Sequence, residues 1–245
     1  MRALLLSAGF GTRLRPLTES VPKCLIPING KPLMEYWLDM LCREKNIPVM
    51  VNLHYLSKQV EDYIAISPYK QFVTTVFEEY LLGTGGTLLR NRNFFGKESV
   101  FMAHGDNLSL FDLTAFVRAH YERPGHCEMT MMTFETDTPQ SCGIVELDTD
   151  NVVCAFHEKV DNPPGNLANG AVYILEPSVL DFLDSLGKEV IDFSTEVLPY
   201  YVGRINAFHN GRYHRDIGTM DSYRKAQNDF FQPDLSAIKD IHFEF

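Results

Sequence analysis

The stretch "LLLSAGFGTRLRPLTESVPKCLIPINGKP", Leu4 to Pro32, governs how the rest of the chain is read. It begins inside a short apolar run, Ala3–Leu6, that reads as a buried strand. A glycine-rich turn follows. Gly9 and Gly11 permit positive φ and close approach of a phosphate, and successive backbone N–H groups in such a turn can converge on an anion. Between Phe10 and Lys31, the cations Arg13, Arg15, Lys23 and Lys31 face Glu19 alone, a local net charge of +3. The whole chain of 245 residues carries −10. Positive charge gathered at one place in an acidic protein suits a polyphosphate ligand. The acidic balance argues against general binding to nucleic acid or anionic membrane.

Neither of the two common phosphate motifs fits. The dinucleotide fingerprint needs a third small residue where Leu14 stands, and the P-loop pattern is absent. Downstream, strand-like and helix-like segments alternate. "VMVN" (Val49–Asn52), "FVTTVF" (Phe72–Phe77), "VFMA" (Val100–Ala103) and "MTMMTF" (Met129–Phe134) read as strands. Helices are expected after Pro32, from a cap at Ser57 through Ile66, in "TLLRNRNFF" after a glycine-rich turn, and from Leu113 to Tyr121. The second half is richer in strands. It holds a hairpin turning at Asp148–Asn151, the strand "AVYIL", a helix from Pro177 to Leu186, another after Asp192, the strand "RINAFH", and a last helix near Asp221. The alternation implies an open, Rossmann-like α/β sheet, mixed but mostly parallel, with flanking helices.

Four further features bear on function. "EEYLLGTGGTL" (Glu78–Leu88) is a second glycine-rich stretch. "HGDN" (His104–Asn107) sits at the end of an expected strand, where open α/β sheets place ligands. "FHEK" ends at Glu158 and Lys159, and "HRDIGTMDSY" carries Asp216.

Taken together, these motifs resemble the signature of the sugar-1-phosphate nucleotidyltransferases, or NDP-sugar pyrophosphorylases. That family's G-x-G-T-R-L, P-L-T, P-K and K-P elements all occur in order in the opening stretch. The resemblance runs from Met1 to about Ala226 and is nearest in motifs to mannose- and heptose-1-phosphate guanylyltransferases. It implies a GT-A-like fold and transfer of a nucleoside monophosphate from an NTP to a sugar 1-phosphate, with Mg²⁺ as cofactor. GTP and a mannose- or heptose-type sugar are favoured. CTP- or UTP-dependent transfer to another phosphorylated small molecule or amino sugar stays open. A nucleotide-sugar sensor without activity is the remaining alternative.

The resemblance also assigns residues. Arg13 and Lys23 would be catalytic. Leu6, Ala8, Gly9, Gly11 and Thr12 would line the nucleotide with them, joined by Glu78, Gly83, Thr84 and Gly85 from the second glycine-rich stretch. Asp106 would touch the nucleotide and, with Asp216, hold the metal. Asn107, Gly143, Glu158, Lys159 and Asn169 would face the sugar phosphate, although Gly170–Ala171 inverts the family's usual Ala-Gly order. Glu196 is assigned there too, but its segment "DFSTEVLP" reads equally well as a capped helix start.

The remaining expectations are broad. Residues 1–230 should form the nucleotidyltransferase domain and 231–245 a tail, without the β-helix domain that many relatives carry. The apolar run at the start is too short for a signal-peptide core, and no long apolar span occurs, so a cytosolic protein is expected. The five cysteines, Cys24, Cys42, Cys127, Cys142 and Cys154, have no metal-ligand spacing and should be free thiols. Self-association into a homo-oligomer stays open.

Overall fold

The computed structural model describes residues 1–43 and 45–230. The tail expected at 231–245 lies outside the described residues. The first half contains β1 (Arg2–Leu6), α1 (Leu17–Ser20), a small hairpin of β2 (Pro27–Ile28) and β3 (Lys31–Pro32), α2 (Leu33–Leu38), β4 (Val49–Leu53), α3 (Ser57–Ile66), β5 (Val73–Phe77), α4 (Gly83–Arg90), α5 (Arg92–Phe95), β6 (Val100–His104), β7 (Asn107–Leu110) and α6 (Leu113–Tyr121). The second half adds β8 (Met129–Glu135), β9 (Gly143–Leu147), β10 (Val153–Glu158), β11 (Leu167–Leu175), α7 (Pro177–Ser185), α8 (Leu198–Tyr201), β12 (Ile205–His209), β13 (Tyr213–Asp216) and α9 (Met220–Asp229).

The main sheet runs β10-β9-β11-β6-β1-β4-β5, and β8 joins β11 to β12. Strands β5, β4, β1 and β6 are mutually parallel, so their carboxyl ends share one rim. Antiparallel pairing enters with β11, which lies against β6 with Val172 opposite Ala103.

Alternation along β1 explains the layering. Ala3 and Leu5 face a core with Trp37, Val60 and Phe116 from the α2, α3 and α6 side. Leu4 faces the opposite core with Leu88, Leu180 and Leu198 from α4, α7 and α8. A strand buried on both faces has to be apolar throughout, as Ala3–Leu5 is, and each buried leucine contributes roughly 1.5–3 kcal/mol relative to exposure. A third, smaller core gathers Leu14, Ile26, Leu108, Ile217 and Ala226. It clamps the opening basic stretch onto β7 and α9.

Two helix starts differ from expectation. Ser57 is not a cap: the chain enters α3 through Leu56 at φ 49, and no side chain bonds the first turn. The helix expected in "TLLRNRNFF" begins earlier, at Gly83, so the glycines lie inside α4 rather than in a turn before it. Close packing requires this. A Cβ on Gly86 would lie 2.2 Å from the carbonyl oxygen of Glu189, and one on Gly85 would lie 2.8 Å from Ile191 Cγ2. A side-chain cap not anticipated from the sequence is Asp112, which accepts from the Ala115 N–H at 2.9 Å at the start of α6. All five cysteines are free. No helix among the described residues is long and apolar enough to cross a membrane.

Candidate active site

The basic loop after β1 is built to leave donors open. Gly11 sits at φ 62 and starts a single 3₁₀ turn, Thr12–Leu14. Its carbonyl accepts from the Thr18 hydroxyl at 2.8 Å, and a Cβ on it would press Thr18 Cγ2 at 2.8 Å. Glycine is therefore required there twice over, by backbone and by space. The Ser7 N–H is held by Asn52 Oδ1 at 2.7 Å. From Ala8 to Arg13, none of the backbone N–H groups donates to another group among the described residues. Unpaired backbone donors in a row make a cradle for an anion. A Cβ on Gly9 would meet nothing within 4 Å.

Lys23 lies at the foot of this loop. It opens a second 3₁₀ turn, Lys23–Leu25, and its Cβ stands 3.3 Å from where a Cβ on Gly11 would be. Its ammonium donates to Asp106 Oδ2 at 2.6 Å and to Asp216 Oδ1 at 3.2 Å. The two aspartates are 110 residues apart in sequence, and β7 and β13 explain their meeting. Asp106 directly precedes β7, Asp216 ends β13, and the antiparallel ladder sets Asp216 opposite Asn107. The Ser109 hydroxyl and His214 Nδ1, 2.7 Å apart, tie the same two strands. Arg13 joins the group from the loop: a Cβ on Gly218 would lie 3.1 Å from Arg13 Nη2 and 2.7 Å from Asp216 Oδ2.

The electrostatics follow from this geometry. Side-chain exposure rises from 10 % for Lys23 to 24 % for Asp106 and 55 % for Asp216. Burial alone disfavours the Lys23 ammonium, but the carboxylates of Asp106 and Asp216 outweigh it and hold its pKa above the ordinary lysine value. For Asp106, burial pushes upward, and Lys23 and His104 override it, leaving the carboxyl below its ordinary range. The donor set fits a hard divalent cation. Two carboxylate oxygens converge on one positive centre, here the ammonium. Among the described residues, no cluster of three or more His, Cys, Asp or Glu side chains forms. Two carboxylates completed by phosphate oxygens and water is the arrangement Mg²⁺ favours.

The second glycine-rich stretch stands apart from that cluster. The N–H groups of Gly85 and Gly86 both point to the Ile191 carbonyl, and the Thr84 hydroxyl accepts from the Phe193 N–H. Gly83, at φ 73, packs on the same carbonyl. These residues serve packing in the structure. Glu78 connects the stretch to the first loop: its Oε1 accepts from Thr87 Oγ1 at 2.6 Å and from Asn52 Nδ2 at 3.1 Å. Sequence reading missed Asn52 and Thr87. The available signal was an asparagine closing the apolar run "VMVN" at the rim of the sheet. Ser7 also escaped notice. Its Oγ is the buried side-chain polar atom that lacks a partner among the described residues. A cavity of about 800 Å³ adjoins Glu78, walled by Phe77, Tyr80, Leu82, Arg90 and Lys188.

The residues assigned to the sugar phosphate fall into two places. Asn107 begins β7, with its carbonyl taken by Trp37 Nε1 at 2.9 Å. Gly143 faces Glu158 across β9 and β10, and a Cβ on it would strike Glu158 Oε2 at 2.7 Å. Lys159 follows at φ 47, pairing with Glu158 at 3.0 Å, and is mostly exposed. Asn169 anchors an irregularity in β11. It accepts from the Ala171 N–H at 2.9 Å and donates to the Tyr173 hydroxyl at 2.7 Å. Ala171 takes the left-handed conformation at φ 52. A Cβ on Gly170 would sit 2.7 Å from Met132 Cε, the movable end of that side chain, and 3.1 Å from the Met132 carbonyl oxygen. The β11–β6 ladder begins at Val172 opposite Ala103, so residues 169–171 precede it on the side of the β6 carboxyl end. Glu196 is engaged elsewhere. Its carboxylate accepts from the Asp192 N–H at 3.0 Å and pairs with Lys188, while Asp192 caps the same helical turn.

Residues 2–232 match the family model described as nucleotidyl transferase. The chain is 32 % identical over 216 residues to a UTP–glucose-1-phosphate uridylyltransferase of Synechocystis, covering 82 % of this chain and 55 % of that protein. It is 30 % identical to a mannose-1-phosphate guanylyltransferase of Mycobacterium tuberculosis, covering 93 % of this chain and 64 % of that one. With the D-glycero-alpha-D-manno-heptose 1-phosphate guanylyltransferase of Aneurinibacillus thermoaerophilus it shares 29 % identity over 94 % of this chain and 98 % of the other. The chain thus spans 55 % and 64 % of the first two relatives' lengths and nearly all of the third's. Among solved structures, a putative glucose-1-phosphate thymidylyltransferase from Bacillus anthracis superposes with a TM-score of 0.84 at 18 % identity, over 100 % of this chain and 98 % of that one. HddC from Yersinia pseudotuberculosis, complexed with GMP-PN, gives 0.76 at 24 %, over 94 % and 99 %. Those likenesses establish the fold, a mixed α/β sheet of GT-A-like type. On its family match, the chain belongs to the nucleotidyl transferases, among the sugar-1-phosphate nucleotidyltransferases.

Proposed function

We propose that the protein transfers a nucleoside monophosphate from an NTP to a sugar 1-phosphate, releasing pyrophosphate. The observation that carries this reading is the Lys23 ammonium bonded to both Asp106 and Asp216 at the foot of an unpaired N–H cradle. A phosphate oxygen of the sugar phosphate forms a bond to the α-phosphorus of the nucleotide. The bond from that phosphorus to the β-phosphate oxygen breaks, and pyrophosphate leaves with the electron pair. No protein nucleophile is needed. The obstacle is repulsion, since two unit charges 4 Å apart cost roughly 1 kcal/mol in water and about 4 kcal/mol at an effective dielectric near 20. The chain's task is to supply positive charge and fixed geometry.

In this reading, the N–H groups from Ala8 to Arg13 hold the triphosphate. Arg13 neutralises the departing pyrophosphate, and Lys23 faces the α-phosphate as charge builds there. Lys159, exposed at the end of β10, holds the incoming sugar phosphate, while Asn169 and Glu158 position the sugar. Asp106 and Asp216 would hold Mg²⁺, which when bound neutralises and orients phosphate oxygens. Pyrophosphate release from each of four NTPs, with mannose, heptose, glucose and N-acetylglucosamine 1-phosphates, tests the reaction class. Release with none of the pairs rejects it.

GTP is the favoured nucleotide. The Oε1 of Glu78 is committed to Asn52 and Thr87, while its Oε2 accepts nothing from the described residues. A carboxylate only accepts, and guanine offers adjacent N1–H and N2–H donors where uracil offers one N–H between two carbonyls. The guanylyltransferases among the relatives support the same choice, with mannose- or heptose-type sugars. The uridylyltransferase relative at 32 % identity keeps UTP as the second reading. Thermal shift with each NTP ranks them: a ligand at 100 times its Kd stabilises by about 2.7 kcal/mol.

A further inference from the structure

We propose that Lys23 is the resident counter-cation of the divalent-metal position in the nucleotide-free protein, so that the ion and the ammonium exclude one another and the ion enters with the nucleotide. The inference rests on reading Asp106 and Asp216 as metal ligands. The ammonium bonds Asp106 Oδ2 at 2.6 Å and Asp216 Oδ1 at 3.2 Å, and so occupies the space between the two oxygens that a shared ion must reach. Its stem has little freedom to retreat. Lys23 is nine-tenths buried, its backbone is fixed in the Lys23–Leu25 turn, and its Cβ stands beside Gly11. A divalent ion seated on the same oxygens would set two and one positive charges side by side in a half-buried site, which is repulsive.

The two carboxylates need a partner in the empty protein, because like charges that share a site repel. Lys23 supplies it and holds their spacing. Phosphates arriving in the cradle offer the ammonium a new anionic partner, which frees both oxygens for the ion. Lys23 then stands against phosphate from the moment the ion is seated. Metal and nucleotide binding are therefore positively coupled, by the same factor in each direction.

Titration of the nucleotide-free full chain with Mn²⁺, with free ion read by electron paramagnetic resonance, tests this. Wild type and Lys23→Arg should bind weakly, Lys23→Gln at least tenfold more tightly than wild type, and Asp106→Asn more weakly than all three. If Lys23→Gln binds no more tightly than wild type while Asp106→Asn still loses binding, the exclusion is wrong and the metal reading survives. If Asp106→Asn binds as well as Lys23→Gln, the aspartates are not the ligands and both fall. Lys23→Met, with an uncharged stem of similar length, replaces Lys23→Gln should that variant not fold as judged by circular dichroism.

Discussion

At the level of single residues, the proposed chemistry rests on one lysine and two aspartates. Lys23→Ala and Asp106→Ala should each lower kcat at least about 100-fold while the circular dichroism spectrum shows that the fold survives. Near-normal turnover of either variant in saturating Mg²⁺ would remove the assigned role. Glu78→Gln exchanges an acceptor-only group for one that also donates. It should lower kcat/KM for GTP relative to UTP by at least about tenfold, and an unchanged ratio would mean that Glu78 does not read the base. Lys23, Asp106 and Asp216, which the structure brings together, could be singled out as candidates in the sequence because each sits in a motif with its own spacing. Asn52 and Thr87 were not. Their importance arises only when the ends of β4, β5 and α4 meet around Glu78, and no local pattern records that meeting. Glu196 shows the opposite case: its role in a capped turn was one of two readings that local sequence allowed, and its recorded bonds are of that kind.

At the level of elements, the two glycine-rich stretches use glycine for opposite reasons. In the first, Gly9 faces open space, which leaves room for a ligand. Gly9→Ala should change stability by no more than about 0.5 kcal/mol yet raise KM for the NTP at least about tenfold. In the second, α4 lies directly on the chain at Glu189–Ile191. Gly86→Ala should cost about 1–3 kcal/mol in urea unfolding, because its new methyl meets a backbone carbonyl that cannot swing away. Equal stabilities for the two variants would contradict this division. Strands and most helices could be read from apolar periodicity. The start of α4 could not, since a glycine run gives the same local signal whether it turns around a ligand or packs against a neighbouring segment. The β7–β13 ladder was also hidden, because each strand is only four residues long and its partner lies about 100 residues away.

At the level of the whole molecule, one contribution to acid stability lies away from the candidate active site. His120 is buried between Thr130 and Glu176, with Nδ1 3.0 Å from the Thr130 hydroxyl and Nε2 2.9 Å from Glu176. Nε2 donates, because a carboxylate only accepts. Burial and then Arg123 push the His120 pKa down to about 4, against the pull of Glu176. The unfolded chain thus takes up a proton near pH 6.5 that the folded one refuses until about pH 4. This contribution to stability is fully present above pH 6.5 and declines as pH falls toward 4. Urea midpoints between pH 7.5 and 5 should drop more for wild type than for His120→Gln, and parallel slopes would contradict it. The sheet's overall plan was legible because a strand buried on both faces has to be uniformly apolar. The nucleobase was not, because it depends on where a few polar atoms point. The most direct measurement follows label from α-³²P-GTP, with Mg²⁺ and mannose or heptose 1-phosphate. The account predicts that label enters a sugar nucleotide with one pyrophosphate released per product, and that Lys23→Ala abolishes both. Bound Mg²⁺ and nucleotide without transfer, for GTP or any other NTP and for every sugar phosphate offered, would contradict it.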